Sequence, residues 1–293
     1  MAHPWDRSVF TLVMPDAIAT HRHTEVLRRI EGAGYRIAYF ELLTVAPEQL
    51  DEVYAEQIKS VWDAYFYRLL DKLFLSGPVI GLVMEDVTGG EEDAHRRLKL
   101  LKGATDPNKA APGTIRRDLG GINSMLAFMH AADQPEVSVR EAGLLFTAPV
   151  SADAPPRGDA AAGTDETAAH AVCDLLASGP AETRGFPEVL AGHRSRVAGA
   201  AWHDLSERGR ATAREATARG TLAEPGLGAL IADGLRGGEA HPAHGLLHAD
   251  WRPGLPTLPE RRYLTALAGL GLPRDHWEEL VLLTSAYFPP KAA

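Results

Sequence analysis

Residues Lys102–Asp118 read KGATDPNKAAPGTIRRD and stand between a helical pattern over Glu91–Lys102 and a short strand that includes Phe128–His130. Outward from this segment, strands and helices alternate. Ser8–Met14 (SVFTLVM) is short, apolar and closed by Pro15, the pattern of a buried strand. Val26, Leu27, Ile30 and Ala33 keep helical spacing, and Gly34 falls where a C-terminal cap belongs. Tyr35–Leu43 is a second strand, and Pro47 then opens a helix at its first position, where the missing amide costs nothing. Ser60–Leu75 sets Trp62, Tyr65, Phe66, Leu69, Leu70 and Leu73 on one broad helical face. Val79–Glu85 is a third strand, and a helix over Glu136–Phe146 follows the fourth. This order predicts an α/β (α+β) unit: a ferredoxin-like four-stranded antiparallel sheet covered by helices.

The composition changes near residue 147. Thr147–Thr167 (TAPVSADAPPRGDAAAGTDET) is a Pro/Ala/Gly/Asp stretch without apolar periodicity and reads as a linker. The expected division is therefore a domain over 1–147, a linker over 148–167 and a mainly α-helical domain over 168–293. Helices are predicted there over Glu166–Ala177, Glu188–Arg219, Gly226–Leu235, Glu260–Leu270 and Arg274–Ala286, with Gly199, Gly209 and Gly220 as candidate breaks in the long one.

With 293 residues, 45% of them hydrophobic, the chain has material for one large core or two smaller ones, which excludes wholesale disorder. The formal charge of −9 argues against broad binding to nucleic acid or to an anionic membrane surface, either of which calls for a basic face. Cys173 is the single cysteine, so an internal disulfide framework and a thiolate-only metal site are excluded. No stretch approaches the ~20 apolar residues that span a bilayer. At the start, Asp6 and Arg7 interrupt any signal-like pattern. A cytoplasmic protein without a membrane partner is the expectation.

The segments TLVMPDA (Thr11–Ala17), SGPVIGLVMED (Ser76–Asp86), KGATDPNKAAPGTIRRD and HAAD followed by SVREAGLLF together resemble the nucleoside diphosphate kinase family, over about Ser8 to Phe146. The resemblance implies a phosphotransferase in which an imidazole takes the terminal phosphate of a nucleoside triphosphate and passes it to a nucleoside diphosphate. It places the nucleophile at His130 and the carboxylate that orients it at Glu141, eleven residues on. It places nucleotide contacts at Tyr54, Tyr67, Lys99, Thr105 and Arg116, with Tyr67 where a ring stacks on the base. It further implies ATP or another nucleoside triphosphate accompanied by Mg2+, and a homo-oligomer, either a dimer or larger.

The sequence departs from the family at four site positions. Met14 stands where a lysine contacts the transferred phosphoryl group, Ala127 where an asparagine contacts the sugar, and Ala132 where a serine follows the histidine. Lys99 replaces an arginine, which keeps the charge and loses the planar fork. Three readings therefore stand side by side: a phosphotransferase, a degenerate kinase-like domain used for nucleotide binding or scaffolding, and an enzyme repurposed for other chemistry on a nucleotide-like substrate. His241, His244 and His248 (HPAHGLLH) offer three imidazoles, but Pro242 and Gly245 argue against one helical face, and no metal site is predicted. The basic run His95, Arg96, Arg97, Lys99 and Lys102 reads as a solvated face with Lys99 at its phosphate edge. Trp202, Trp251 and Trp277 read as packing residues.

Overall fold

The computed structural model describes residues 3–55, 58, 64–90, 93–158, 165–182 and 185–291. Part of the expected Ser60–Leu75 helix, including Trp62 and the side chains of Tyr65 and Phe66, lies outside the described residues, as does Glu91. The chain divides into two compact units, residues 1–121 with 126–182, and residues 122–125 with 183–293.

The first unit holds four strands, β1 (Ser8–Val13), β2 (Tyr35–Leu43), β3 (Val79–Asp86) and β4 (Met129–Ala131). Their order is β2-β3-β1-β4 and each pairing is antiparallel. That is the ferredoxin-like arrangement expected from the alternation of elements. β1 is buried along its whole length, which is why its sequence is a continuous apolar run rather than an alternating one. Pro15 ends β1 as expected and also opens a short helix, Pro15–Ala19, that the sequence reading did not contain. Gly34 caps the His23–Gly32 helix with φ of 88°, and a Cβ there would fall 2.3 Å from Cγ2 of Thr88. Val9, Val13, Val26, Leu27, Ile30, Leu82, Met84 and Leu98 join in one core.

The structure differs from the expected boundary at 147. Trp5 Nε1 donates to the carbonyl of Ser151 at 3.0 Å, Gly158 N to that of Ala38 at 2.9 Å, and Arg157 pairs with Glu85 at 2.6 Å. The Asp165–Leu176 helix buries Ala169 and Cys173 in the core of the first unit, and His23 Nε2 lies 2.8 Å from the carbonyl of Cys173. A segment without apolar periodicity forms no helix of its own, but its backbone and isolated side chains can still be pinned to a neighbouring surface. Residues 159–164, in the middle of the expected linker, lie outside the described residues.

The second unit is helical: Phe186–Ala200, Glu207–Arg219, Leu227–Ala232, Pro242–His248, Glu260–Gly269 and His276–Tyr287. The expected long helix is interrupted between Ala200 and Glu207, where Ser206 accepts from Gly209 N and caps the second half. Gly199 and Gly209 sit inside helices instead of breaking them, and Gly220 closes the second half in a left-handed conformation. Gly209 is needed for close packing, since a Cβ there would meet Cα of Gly234 at 3.2 Å. HPAHGLLH is helical after all, because Pro242 occupies the first turn, where no amide is required. His241 pairs with Asp204 at 3.3 Å, while the rings of His244 and His248, one turn apart, stack at 5.6 Å. Trp251 and Trp277 are buried, and Arg214 lies over the Trp202 ring at 4.9 Å. Among the described residues, no helix is long and apolar enough to cross a membrane.

Candidate active site

His130 is the middle residue of β4, opposite Leu12 of β1. Its Nε2 stands 2.8 Å from Oε2 of Glu141, a buried carboxylate on the Pro135–Leu145 helix that follows the strand. An ionised carboxylate can only accept, so this contact puts the proton on Nε2 and leaves the lone pair on Nδ1. The Tyr54 ring meets the imidazole edge-on, with centroids 5.8 Å apart. Burial, with Glu141 nearby, pushes the Tyr54 hydroxyl well above the usual phenol range, so it stays neutral at physiological pH.

The entry into β4 is held under constraint. Phe128 has φ of 71°, an uncommon conformation for a bulky residue, and one that persists only where its surroundings enforce it. Here Oδ2 of Asp16 accepts from Phe128 N at 3.0 Å and Met14 N donates to the Phe128 carbonyl at 2.8 Å. Asp16 is fully enclosed, and that burial raises its carboxyl to about 7.

β4 is an edge strand, and the carbonyls on either side of His130 are each taken by a cation. Arg116 Nη2 donates to the carbonyl of Met129 at 2.8 Å, and Lys102 Nζ to that of Ala131 at 3.1 Å. Arg116 also reaches the carbonyls of Ala127 at 3.4 Å and Gly103 at 3.1 Å, and the hydroxyl of Thr105 at 3.3 Å. Burial lowers Arg116 to about 10, still cationic at neutral pH. Its guanidinium, which the resemblance assigns to phosphate, is thus largely committed to placing the histidine strand.

Lys99 Nζ lies 2.7 Å from Oδ2 of Asp133, and Lys102 Nζ 3.8 Å from the other oxygen. Although partial burial pushes the Asp133 carboxyl up, Lys99, Lys102 and His130 together hold it below the ordinary range. The basic run is therefore not one solvated face: His95 and Lys102 are buried, and Arg97 is spent on Asp86 at 2.8 Å. Tyr67 lies on the Ala64–Leu75 helix, where burial and the carboxylates of Asp51 and Asp71 raise its hydroxyl. His130, Glu141, Tyr54, Arg116 and Thr105 thus form one cluster, to which Lys102 links Asp133 and Lys99. Met14, Ala127 and Ala132 are all buried. Sequence reasoning passed over Asp16 and read Lys102 as part of a solvated face, whereas both are buried. The available signal was a charged residue set directly against apolar runs, TLVMPDA and LKLLKG.

Residues 7–149 match the family model described as nucleoside diphosphate kinase. The nucleoside diphosphate kinase of Metallosphaera sedula is 33% identical over 141 residues, which make up 48% of this chain and 94% of that protein. The chain belongs to the nucleoside diphosphate kinase family. The family's enzyme from Nocardia farcinica is 39% identical over 136 residues, 46% of this chain and 91% of that protein. A solved halophilic nucleoside diphosphate kinase from Halobacterium salinarum, in complex with CDP, is 28% identical and covers 54% of this chain and 96% of its own, with a TM-score of 0.42. The N-terminal half of the chain is thus a nucleoside diphosphate kinase-family domain, a nucleotide phosphotransferase by family.

Proposed function

We propose that this domain transfers the terminal phosphate of a nucleoside triphosphate to a nucleoside diphosphate through a phosphohistidine at His130. The observation that carries the reading is the 2.8 Å contact between His130 Nε2 and Glu141, which leaves the lone pair on Nδ1. Nδ1 attacks the γ-phosphorus, the N–P bond forms as the bond to the β,γ-bridging oxygen breaks, and the nucleoside diphosphate leaves. The imidazole becomes cationic in that step, and Glu141, hydrogen-bonded on Nε2, stabilises the charge as it develops. In the return half, an oxygen of the acceptor's terminal phosphate attacks phosphorus, the N–P bond breaks, and neutral His130 is restored.

Mg2+ belongs to this reading as part of the nucleotide substrate, where it neutralises charge on the bridging oxygens. The donor set beside His130 suits such a substrate: Lys99, Lys102 and Arg116 offer positive charge to phosphates, and Asp133 is already paired with Lys99. Thr105 adds a hydroxyl, Tyr54 walls the imidazole, and Tyr67 is the base platform of the proposal. The reading extends to a cytoplasmic homo-oligomer, a dimer or larger.

Incubation with γ-labelled ATP and Mg2+ is expected to give an acid-labile, base-stable label that His130→Ala abolishes. Absence of label on wild type across nucleotides and divalent ions would remove the phosphohistidine. A binding-only domain is the second reading, favoured by the buried apolar side chains of Met14, Ala127 and Ala132. Calorimetry showing ADP or GDP bound by a protein that takes no label would select it.

A further inference from the structure

Lys102 is a buried ammonium that shares its carboxylate with a second lysine. Its pairing with Asp133 is long, 3.8 Å, and that carboxylate is engaged more closely by Lys99 at 2.7 Å. Its bonded partner is neutral, the carbonyl of Ala131 at the free edge of β4. A lysine that served only to cover an edge carbonyl could leave its charge in water, as lysines along a surface do. This one is almost fully enclosed, next to two further cations, and each of those neighbours makes its charge more costly. Burial lowers it to about 8, with Arg116 and Lys99 pushing the same way while Asp133 and Glu141 oppose them. Cations crowded into one partly dry place, with less negative charge than they need, are arranged for an anion that arrives later.

The position says which anion. Lys102 and Arg116 hold the two carbonyls that flank His130, one on each side, so both positive charges stand at the residue that receives the phosphoryl group. The resemblance gives a lysine at position 14 as the cation on that group, and this chain has buried Met14 there instead. We propose that Lys102 is the phosphoryl-site cation of this protein, its ammonium pairing with the phosphoryl group as it passes to and from His130. The inference rests on the phosphohistidine reading and adds to it a catalytic residue drawn from a different element, the Ala94–Lys102 helix.

The test is the rate of His130 labelling by γ-labelled MgATP in the full chain, measured as a second-order rate constant across pH. Lys102→Met removes charge and hydrogen bond together. Lys102→Gln removes the charge and keeps a donor for the Ala131 carbonyl, so it separates positioning from electrostatics. Both variants are expected to label about 10²-fold more slowly, the loss that follows removal of one preorganised donor. Wild type is expected to lose rate as pH rises through about 8, where the free ammonium gives up its proton, and both variants to lack that alkaline limb. Circular dichroism reports whether each variant folds. Should neither fold, the wild-type profile decides, since a rate that stays level to pH ~9.5 overturns the assignment. Wild-type speed in folded Lys102→Gln overturns it as well and leaves the phosphohistidine standing. Wild type that takes no label at all overturns both, and is told apart by the wild-type lane alone.

Discussion

Arg116 reaches the carbonyl of Met129 at 2.8 Å, one residue before His130, and so the side chain that the family resemblance assigns to phosphate is also the clamp of the strand that carries His130. Replacing it by alanine would remove the donor to the carbonyls of Gly103 and Met129 and to the Thr105 hydroxyl, while the Ala127 carbonyl would keep its bond from Met129 N. Arg116→Ala is expected to destabilise the first unit by about 3 kcal/mol, as for loss of buried hydrogen bonds to a charged group. Urea melts of the two proteins check this. Arg116→Lys, which retains charge and loses the fork, should fall between them.

Glu141 acts through the imidazole, so its loss should appear in rate more than in affinity. Glu141→Gln keeps the shape and replaces the anion by a neutral amide. Labelling of His130 is expected to slow by about 10–100-fold, the usual effect of removing a partner that orients and charges a reactive group. ADP affinity by calorimetry should stay within about threefold of wild type. An equal loss in both measurements would assign Glu141 to folding of the site.

Asp16 sets a pH dependence of stability. Its carboxyl is raised from 3.8 to about 7, so between those values the native state keeps a proton that the unfolded chain releases. Stability is therefore highest below about pH 4 on this account and is lost as pH rises to about 7. Asp16→Asn can still accept from Phe128 and no longer titrates. Its thermal midpoint relative to wild type should rise between about pH 5 and pH 7.5. A constant difference over that range would show that Asp16 is already ionised at the lower pH.

The Asp165–Leu176 helix, with Ala169 and Cys173 buried in the first core, makes residue 147 a poor place to cut. A fragment of residues 1–182 is expected to melt cooperatively. One ending at residue 147 exposes the apolar face under that helix, and it should melt several degrees lower or aggregate. Scanning calorimetry of the two fragments makes the comparison. Cys173 is a reporter for the same contact, because burial raises its thiol to about 11. Slow reaction with a thiol reagent is expected in residues 1–182 until the helix is detached.

The sheet was legible in the sequence because its strands are buried on both faces or framed by glycine and proline, and such runs declare themselves locally. Tyr35–Leu43 matches its predicted bounds, and the neighbouring strands differ only at their ends. The contact between His130 and Glu141 was legible by resemblance, since one strand, one turn and one helix close in the chain set it. What Arg116 and Lys102 do was decided only by the tertiary structure. Each donates to a backbone carbonyl more than ten residues away, and a carbonyl is the same in every residue, so no pattern of side chains announces it. The same holds for Asp16, whose burial depends on the left-handed Phe128 brought to it from 112 positions along the chain. The helix at Asp165–Leu176 was legible almost to its bounds, as Glu166–Ala177, but its place in the first unit was not. The apolar surface that Ala169 and Cys173 complete belongs to β2 and the His23–Gly32 helix, and it is fixed only once the chain has folded.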